Sequence, residues 1–238
     1  MQLIKQTVVI LGGSSGIGLA TAQAALSEGA HVVITGRSQR RLGAARAVLG
    51  DKVRTLALDS ADEEGTRVFF DELGHVDHIF VSAASVTLRG GLTAETASLR
   101  PAIDTRFWGS LFAAKYGAPK MSLEGSITFC SGTSALRPLA GGSVGSASCA
   151  AVEALARSLA VELAPIRVNT VVPGLIDTPL IGELFGERRD ALLASAAAQL
   201  PVRRVGHPQD IADGVLFLMK NGFVTGITLT IDGGRLLV

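Results

Sequence analysis

A glycine-rich stretch near the start of the chain has the residue types and spacing of a phosphate-binding turn. A β-branched run at 7–10 leads into it, an apolar helical pattern leads out, and it reads Leu11-Gly12-Gly13-Ser14-Ser15-Gly16-Ile17-Gly18. A strand that turns through glycines into a helix points free backbone N–H groups and the positive end of the helix dipole at an anion. Gly12 permits the tight turn, Gly16 lets a pyrophosphate approach the backbone, and Gly18 lets the helix lie close to the sheet. The spacing predicts a dinucleotide site, with an ordinary glycine-rich turn as the alternative; the binding residues would be Gly12, Ser14, Ser15, Gly16, Ile17 and Gly18.

The residues after the second apolar run indicate the type of dinucleotide. No acidic residue lies between His31 and Arg41, whereas a site for NAD carries Asp or Glu there to bind the adenosine ribose diol. Arg37, with Ser38 beside it, instead offers a guanidinium that matches a 2′-phosphate. The sequence therefore favours NADP(H), with a solvated surface arginine as the alternative. Asp59, after the third apolar run, can accept from the adenine amine or cap a helix, and both roles stay open.

Strand-like and helical segments alternate along the chain and would place these residues at one edge of a sheet. The strand-like runs are 7–11, 31–35, 53–58, 78–82, 126–130, 167–172 and 227–231, and the helical patterns are 16–28, 39–49, 62–73, 95–121, 143–163 and 208–220. The pattern predicts an α/β fold in one domain over 1–238: a doubly wound, Rossmann-type parallel sheet of about seven strands with helices on both faces. The proline-containing segment at 173–207 is predicted to be irregular, with a substrate lid at about 175–207.

Composition and charge argue against several function classes. The net charge is +1 and 5% of the residues are aromatic, so nothing favours binding to nucleic acid or to an anionic membrane. The N-terminus lacks the shape of a signal peptide, and no apolar run approaches the roughly 20 residues that span a bilayer. The two cysteines make no disulfide framework, and the four histidines form no metal-ligand pattern. We therefore expect a reduced, cytoplasmic protein that binds a small-molecule substrate and no metal.

Five ordered motifs along the chain resemble those of the short-chain dehydrogenase/reductase family. Residues 12–18 resemble its TGxxxGIG loop, with Leu11 where the family usually has Thr. Residues 77–84 resemble its D-x-x-x-NNAG segment but end Val81-Ser82-Ala83-Ala84. Residues 173–179, 204–212 and 226–234 match its PGxxxTP, R-x-G-x-P-x-D-I-A and G-x-x-L-x-x-D-G-G segments. The resemblance covers essentially the whole chain. Since Leu11 and Val81 are both apolar, we expect packing to replace the polar contact that the family makes there.

The resemblance implies further contacts for the cofactor. Ile176 would meet the nicotinamide carboxamide and Thr178 the phosphates, although Thr178 can equally cap a helix. The adenosine side would be lined by Ser82, Ala83 and Ala84. Independently of the family, Pro173-Gly174 breaks a strand at its carboxyl end, where ligands of such sheets bind.

The family's catalytic positions are all changed in this chain. The family uses a Tyr as proton donor, a Lys four residues on, a Ser thirteen residues before the Tyr and an Asn on an earlier helix. By ungapped register these positions are occupied by Gly145, Cys149, Gly132 and Arg106. Glycine has no side-chain proton and a thiol is a weak donor, so the usual acid mechanism is excluded. The single tyrosine, Tyr116, belongs to a different helix and is predicted to serve packing.

Two hypotheses follow for the reaction. In the first, the chain is an NADPH-dependent reductase of a carbonyl, enone or imine: Arg106 steadies negative charge, and Ser131, Ser143, Ser148 or an ordered water relays the proton. In the second, it binds NADP(H) without turnover, as a sensor or assembly subunit. A salt bridge from Arg106 to Asp104 or another carboxylate is the structural alternative.

An assembly is also expected. The chain ends apolar, in Leu236-Leu237-Val238, although exposed termini are usually polar. Together with the family's habit of assembly, this predicts a homodimer or homotetramer, with the helices at 95–121 and 143–163 in the larger interface.

Overall fold

Seven parallel strands form one sheet in the computed structural model, which describes residues 2–85 and 91–238. The strands are β1 (Thr7–Leu11), β2 (His31–Gly36), β3 (Arg54–Ala57), β4 (Val76–Val81), β5 (Met121–Cys130), β6 (Arg167–Pro173) and β7 (Thr228–Ile231). Their spatial order is β3-β2-β1-β4-β5-β6-β7. The winding direction reverses between β1 and β4, and in such sheets the crevice at the carboxyl ends of the strands is where ligands bind. The predicted doubly wound fold is thereby confirmed.

Helices cover both faces of the sheet. They are α1 (Gly16–Ser27), α2 (Gln39–Leu49), α3 (Glu63–Leu73), α4 (Thr96–Ile103), α5 (Gly109–Gly117), α6 (Ser143–Glu162), α7 (Pro179–Phe185), α8 (Arg189–Gln199) and α9 (Pro208–Lys220). Side chains alternate across each strand. Val8 and Ile10 therefore lie in the core cluster with α1, α2 and α9, and Val9 and Leu11 lie in the cluster with α3, α5 and α6.

The register of β1 and β4 accounts for the two apolar departures from the family pattern. Leu11 pairs directly with Val81, and both side chains are fully buried in the same core cluster. The predicted apolar packing at this place is confirmed. The turn after β4 is held to β1, since the backbone N–H groups of Ser82 and Ala83 both donate to the carbonyl of Leu11.

Two segments differ from the predicted elements. The pattern at 95–121 is not one helix, because a π-helical turn at Asp104–Trp108 separates α4 from α5. The segment at 173–207 is not irregular throughout, because it contains α7 and α8. Pro179 occupies the first turn of α7, where its missing N–H costs nothing and its fixed φ suits a helix. Pro179 therefore begins a helix inside the segment predicted to be irregular.

Among the described residues, α6 is long and apolar enough to cross a membrane by length and composition alone. The sequence holds no uninterrupted apolar run of that length, because Glu153 and Arg157 lie within α6. A core helix passes the same test, and α6 packs on β5 and β6 with Val152, Ala156 and Leu159 in the core. One such helix is weak evidence for a membrane span.

Candidate functional site

A cleft of about 830 Å³ opens at the carboxyl ends of the central strands. It brings together residues from segments that are far apart in the chain. The predicted binding residues that line it are Gly12, Ser14, Ser15, Gly16, Ile17, Arg37, Ser38, Asp59, Ser82, Ala83, Ala84, Pro173, Gly174, Ile176 and Thr178. Of the predicted catalytic residues, Arg106 and Ser131 line the cleft and Ser148 does not; of the predicted binding residues, Gly18 does not line it.

The glycine turn leaves no space for side chains. Gly12 has a φ of +90°, and a Cβ there would lie 2.6 Å from the backbone nitrogen of Ala83. Gly16 has a φ of +54°, and its Cβ would come within 3.2 Å of the Thr178 methyl group. A Cβ on Gly18 would overlap the carbonyl oxygen of Gly12. Gly18 therefore brings α1 against the turn without touching the cleft, which is the packing role predicted for it.

The amino end of α1 opens on the cleft without a side-chain cap. Ser15 occupies the N-cap position with extended backbone, but its side chain makes no capping hydrogen bond. The first turn of α1 carries no acidic side chain. The first N–H groups of a helix have no partner within it, and the helix dipole is positive at this end. The turn and the uncapped helix therefore fit the pyrophosphate of a dinucleotide.

Basic side chains from α2 and from the turn before it line the adenosine end. Arg37 is exposed, lines the cleft and makes no ion pair within the described part of the chain. Ser38 caps α2 by accepting from the backbone N–H of Arg41 at 3.3 Å. The guanidinium of Arg41 reaches across the cleft to Glu183 of α7 at 2.6 Å. An unpaired guanidinium at Arg37 fits the 2′-phosphate of NADP(H).

Asp59 is not a helix cap. The carboxylate that caps α3 is Asp62, which accepts from the backbone N–H of Gly65 at 3.1 Å. The Asp59 side chain lines the cleft and accepts from the backbone N–H of Ala61 at 3.1 Å. The capping alternative is therefore wrong, and a carboxylate oxygen of Asp59 stays available on the cleft side of the third strand.

The strand end at β6 supplies the opposite wall. Pro173 ends β6. Ile176 is 6% exposed and pairs with Gly206 in an isolated parallel bridge. Thr178 occupies the N-cap position of α7, but its side chain makes no capping hydrogen bond. Thr178 lines the cleft, with its methyl group toward Gly16. The position is that of a cap, and the hydroxyl is left for a ligand.

Arg106 is a buried cation at the far end of the cleft. It projects from the π-helical turn, and its side chain is enclosed, with 8% of the residue exposed. Its Nη1 donates to the hydroxyl of Ser148 at 2.8 Å, and its Nε is buried without a partner. No carboxylate in the described part of the chain forms an ion pair with it, so the predicted alternative of a salt bridge to Asp104 is wrong. Its charge is left for a ligand in the cleft.

The predicted relay serines Ser131 and Ser148 have different surroundings. The Ser148 hydroxyl accepts from Arg106 and donates to the carbonyl of Gly145 at 2.8 Å, and it does not reach the cleft. Ser148 therefore positions the guanidinium and is not placed to relay a proton. Ser131 does line the cleft; its hydroxyl donates to Glu153 Oε1 at 2.6 Å, and the carbonyl oxygen of Cys149 lies 3.2 Å away as a second, more distant acceptor for the same proton.

Sequence reasoning missed Glu153. It is 9% exposed on α6 and belongs to the face that packs on the sheet, between Val152 and Ala156. A carboxylate on an otherwise apolar helix face is rare unless it is paired. That signal could have identified it, because Glu153 lies one helical turn after Cys149 on the same face.

The positions of the family's Tyr, Lys and Ser are open or apolar. A Cβ on Gly145 would meet nothing within 4 Å, and one on Gly132 would lie 3.5 Å from Cys149 Sγ. Burial raises the pKa of the neighbouring Cys130 thiol to about 12 against the opposing charge of Arg106, so this thiol is neutral and a poor nucleophile. Tyr116 lies outside the cleft and donates to Glu63 at 2.7 Å.

Comparisons with known proteins agree along the whole chain. The family model described as enoyl-(acyl carrier protein) reductase matches residues 12–235. The short-chain dehydrogenase/reductase malC of Malbranchea aurantiaca is 32% identical over 98% of this chain and 95% of the relative. The NADP-dependent (R)-specific alcohol dehydrogenase of Lentilactobacillus kefiri is 31% identical over 96% of both.

Solved structures are equally similar. The MalC reductase/Diels-Alderase from Malbranchea aurantiaca superposes with a TM-score of 0.93 at 30% identity, covering 99% of this chain and 98% of that one. A small-chain dehydrogenase in complex with NADPH superposes with a TM-score of 0.86 at 36% identity, covering 98% of this chain and all of that one.

Proposed function

The chain belongs to the short-chain dehydrogenase/reductase family, and on that premise we propose that it is an NADP(H)-dependent oxidoreductase whose proton donor is not the family's tyrosine. The substrate class we propose is a small carbonyl, enone or imine. The observation that carries the proposal is a single cleft that runs from Arg37, past the uncapped amino end of α1, to the buried Arg106.

Different residues along this cleft would bind different parts of the cofactor. Arg37 would hold the 2′-phosphate, with Asp59 and Ser82–Ala84 on the adenosine side. The glycine turn and Thr178 would hold the phosphates, and Ile176 would contact the carboxamide. When bound, NADPH supplies the hydride. A relative named NADP-dependent and a similar structure solved with NADPH support this choice of cofactor.

Arg106 would supply the positive charge that is lost at Cys149. A guanidinium that is enclosed and unpaired stabilises negative charge more strongly than one in water, because the local dielectric is low. It would steady the oxygen or enolate that becomes negative as hydride arrives. A hydride acceptor that is already activated needs less help from an acid. Iminium ions and conjugated enones are therefore the first substrates to test. The open space at Gly145 suits a bulky or planar substrate.

Calorimetry and a turnover screen test this proposal together. We expect NADPH to bind more tightly than NADH, and we expect NADPH oxidation with at least one member of a panel of ketones, enones and cyclic imines. Tight NADPH binding with no turnover on the whole panel would favour the alternative, a cofactor-binding protein without turnover. No binding of either nucleotide would contradict both.

We also propose that the protein is a cytoplasmic homodimer or homotetramer. Both cysteines are free thiols, as expected in a reducing compartment. Trp108, which is 44% exposed, stacks on Phe112 on the predicted interface helix, and Leu237 at the apolar tail is 84% exposed. Exposed apolar groups of this kind mark surfaces that associate. Light scattering at micromolar concentration should give a dimer or tetramer mass, and a monomer would contradict the assembly.

A further inference from the structure

A buried serine–carboxylate pair lies at the same end of the cleft as Arg106. Ser131 follows β5, is 5% exposed and lines the cleft. Glu153 lies behind it on α6, and the Ser131 hydroxyl donates to its Oε1 at 2.6 Å. Within the described residues Glu153 makes no ion pair, and the Ser131 hydroxyl is its one side-chain hydrogen-bond partner. At 2.6 Å this contact lies at the short end of the range for O–H···O hydrogen bonds.

The direction of this hydrogen bond determines what Ser131 can offer to a ligand. A hydroxyl has one proton and two lone pairs. With its proton directed at Glu153, the Ser131 oxygen has lone pairs left for a group in the cleft. It can therefore take a proton from that group while it passes its own proton to Glu153, or run the same exchange backwards.

We propose that Ser131 and Glu153 form a two-residue proton relay that takes the place of the missing phenol. The inference rests on the proposed reductase function and names its proton path. In reduction, the Ser131 O–H bond breaks and its proton goes to the substrate atom that gained the electron pair with the hydride. The proton of the Glu153 carboxyl moves to Ser131 Oγ, and the carboxylate that remains regains a proton from water. Oxidation follows the reverse path.

In this relay Ser131 is the catalytic residue, because it touches the substrate. Glu153 acts through Ser131 and is a positioning residue with a proton to exchange. Arg106 contributes charge and no proton, since a guanidinium stays protonated. The three residues thus separate the two tasks that the family assigns to its Tyr and Lys.

The first test compares Glu153→Gln with Glu153→Asp. Glutamine still accepts from Ser131 but has no acid proton, so kcat on the best substrate of the panel should fall about 100-fold or more. The pH-dependent limb of kcat that belongs to the carboxyl should disappear, and aspartate should restore it in part. Glu162→Gln, an exposed change on the same helix, is the matched control and should leave kcat within about twofold.

The second test needs no substrate and no cofactor. In protein labelled with ¹³C at the glutamate carboxyls, the carboxyl resonance of Glu153 is followed against pH. The midpoint of its titration should move up in Ser131→Ala, because the carboxylate then loses a hydrogen-bond donor. This readout still decides the matter if Glu153→Gln fails to fold.

Each contrary result has a distinct meaning. A kcat and pH profile unchanged in Glu153→Gln would overturn the relay, leave the reductase proposal intact and make Glu153 a structural tie between β5 and α6. A Glu153 signal that does not titrate would overturn it as well. A wild type that binds NADPH but reduces nothing on the panel would overturn both the relay and the reductase proposal, and absence of NADPH binding would remove the cofactor premise.

Discussion

Replacing Arg106 by methionine should make the protein more stable and less active at once. The guanidinium is 8% exposed, pairs with no carboxylate in the described chain and leaves Nε without a partner. Methionine fills a similar volume without charge. Ser148 keeps its hydrogen bond to the carbonyl of Gly145, so the substitution leaves no new buried polar group without a partner there.

The magnitudes follow from those contacts. An unsatisfied buried donor costs about 1–3 kcal/mol, and the charge itself adds a desolvation penalty. The lost bond to Ser148 offsets part of this gain, so we expect a net stabilisation of about 1–3 kcal/mol. For a chain of this length each kcal/mol raises Tm by about 2–4 °C. Removing a donor aimed at developing negative charge costs about 100- to 1,000-fold in rate, so kcat/KM should fall by that factor.

Thermal unfolding without cofactor and steady-state kinetics measure the two effects on one preparation. Arg100→Met is the matched control, because Arg100 is an exposed arginine on the preceding helix; it should change stability by no more than about 0.5 kcal/mol. A Tm that falls well below the control, with kcat/KM unchanged, would refute the reasoning. It would mean that Arg106 holds the fold together and carries no charge toward a ligand.

Three further predictions concern the cofactor end and the core. Arg37→Ser should weaken NADPH binding in calorimetry about 10- to 100-fold and leave NADH unchanged, because a charged hydrogen bond contributes about 1.5–3 kcal/mol; equal losses for both nucleotides would contradict the 2′-phosphate role. Glu183→Gln releases Arg41 from an exposed ion pair worth at most about 1 kcal/mol, so NADPH but not NADH should bind up to about fivefold more tightly. Burial, with the charge of Arg167, lowers the pKa of His78 to about 4. As the pH falls below about 6.5, His78 is therefore protonated in the unfolded chain but stays neutral in the folded protein. The free energy of unfolding, measured by urea titration, should therefore fall by about 3 kcal/mol between about pH 6.5 and about pH 4. His78→Asn should abolish this pH dependence.

The fold and the family could be predicted from the sequence because their signals are local. Strand runs and the turn at Gly12 depend on period, apolarity and glycine conformation within a few residues of chain. The predicted element boundaries were wrong where two local rules competed. Pro179 can break or begin a helix, and the pattern at 95–121 does not reveal a π-helical turn. In both places the packing of neighbouring elements settles the conformation.

The sequence by itself determined which chemistry is missing, because a register count places Gly145 and Cys149 where a phenol and an ammonium are expected. Only the tertiary structure decided what stands in their place. Arg106 forms a hydrogen bond with Ser148, 42 residues away in the chain, and Ser131 forms one with Glu153, 22 residues away. The bond between Arg41 and Glu183 joins residues that are 142 positions apart. The direction of a side chain depends on how its helix or strand packs on others distant in the chain. No local pattern carries that information.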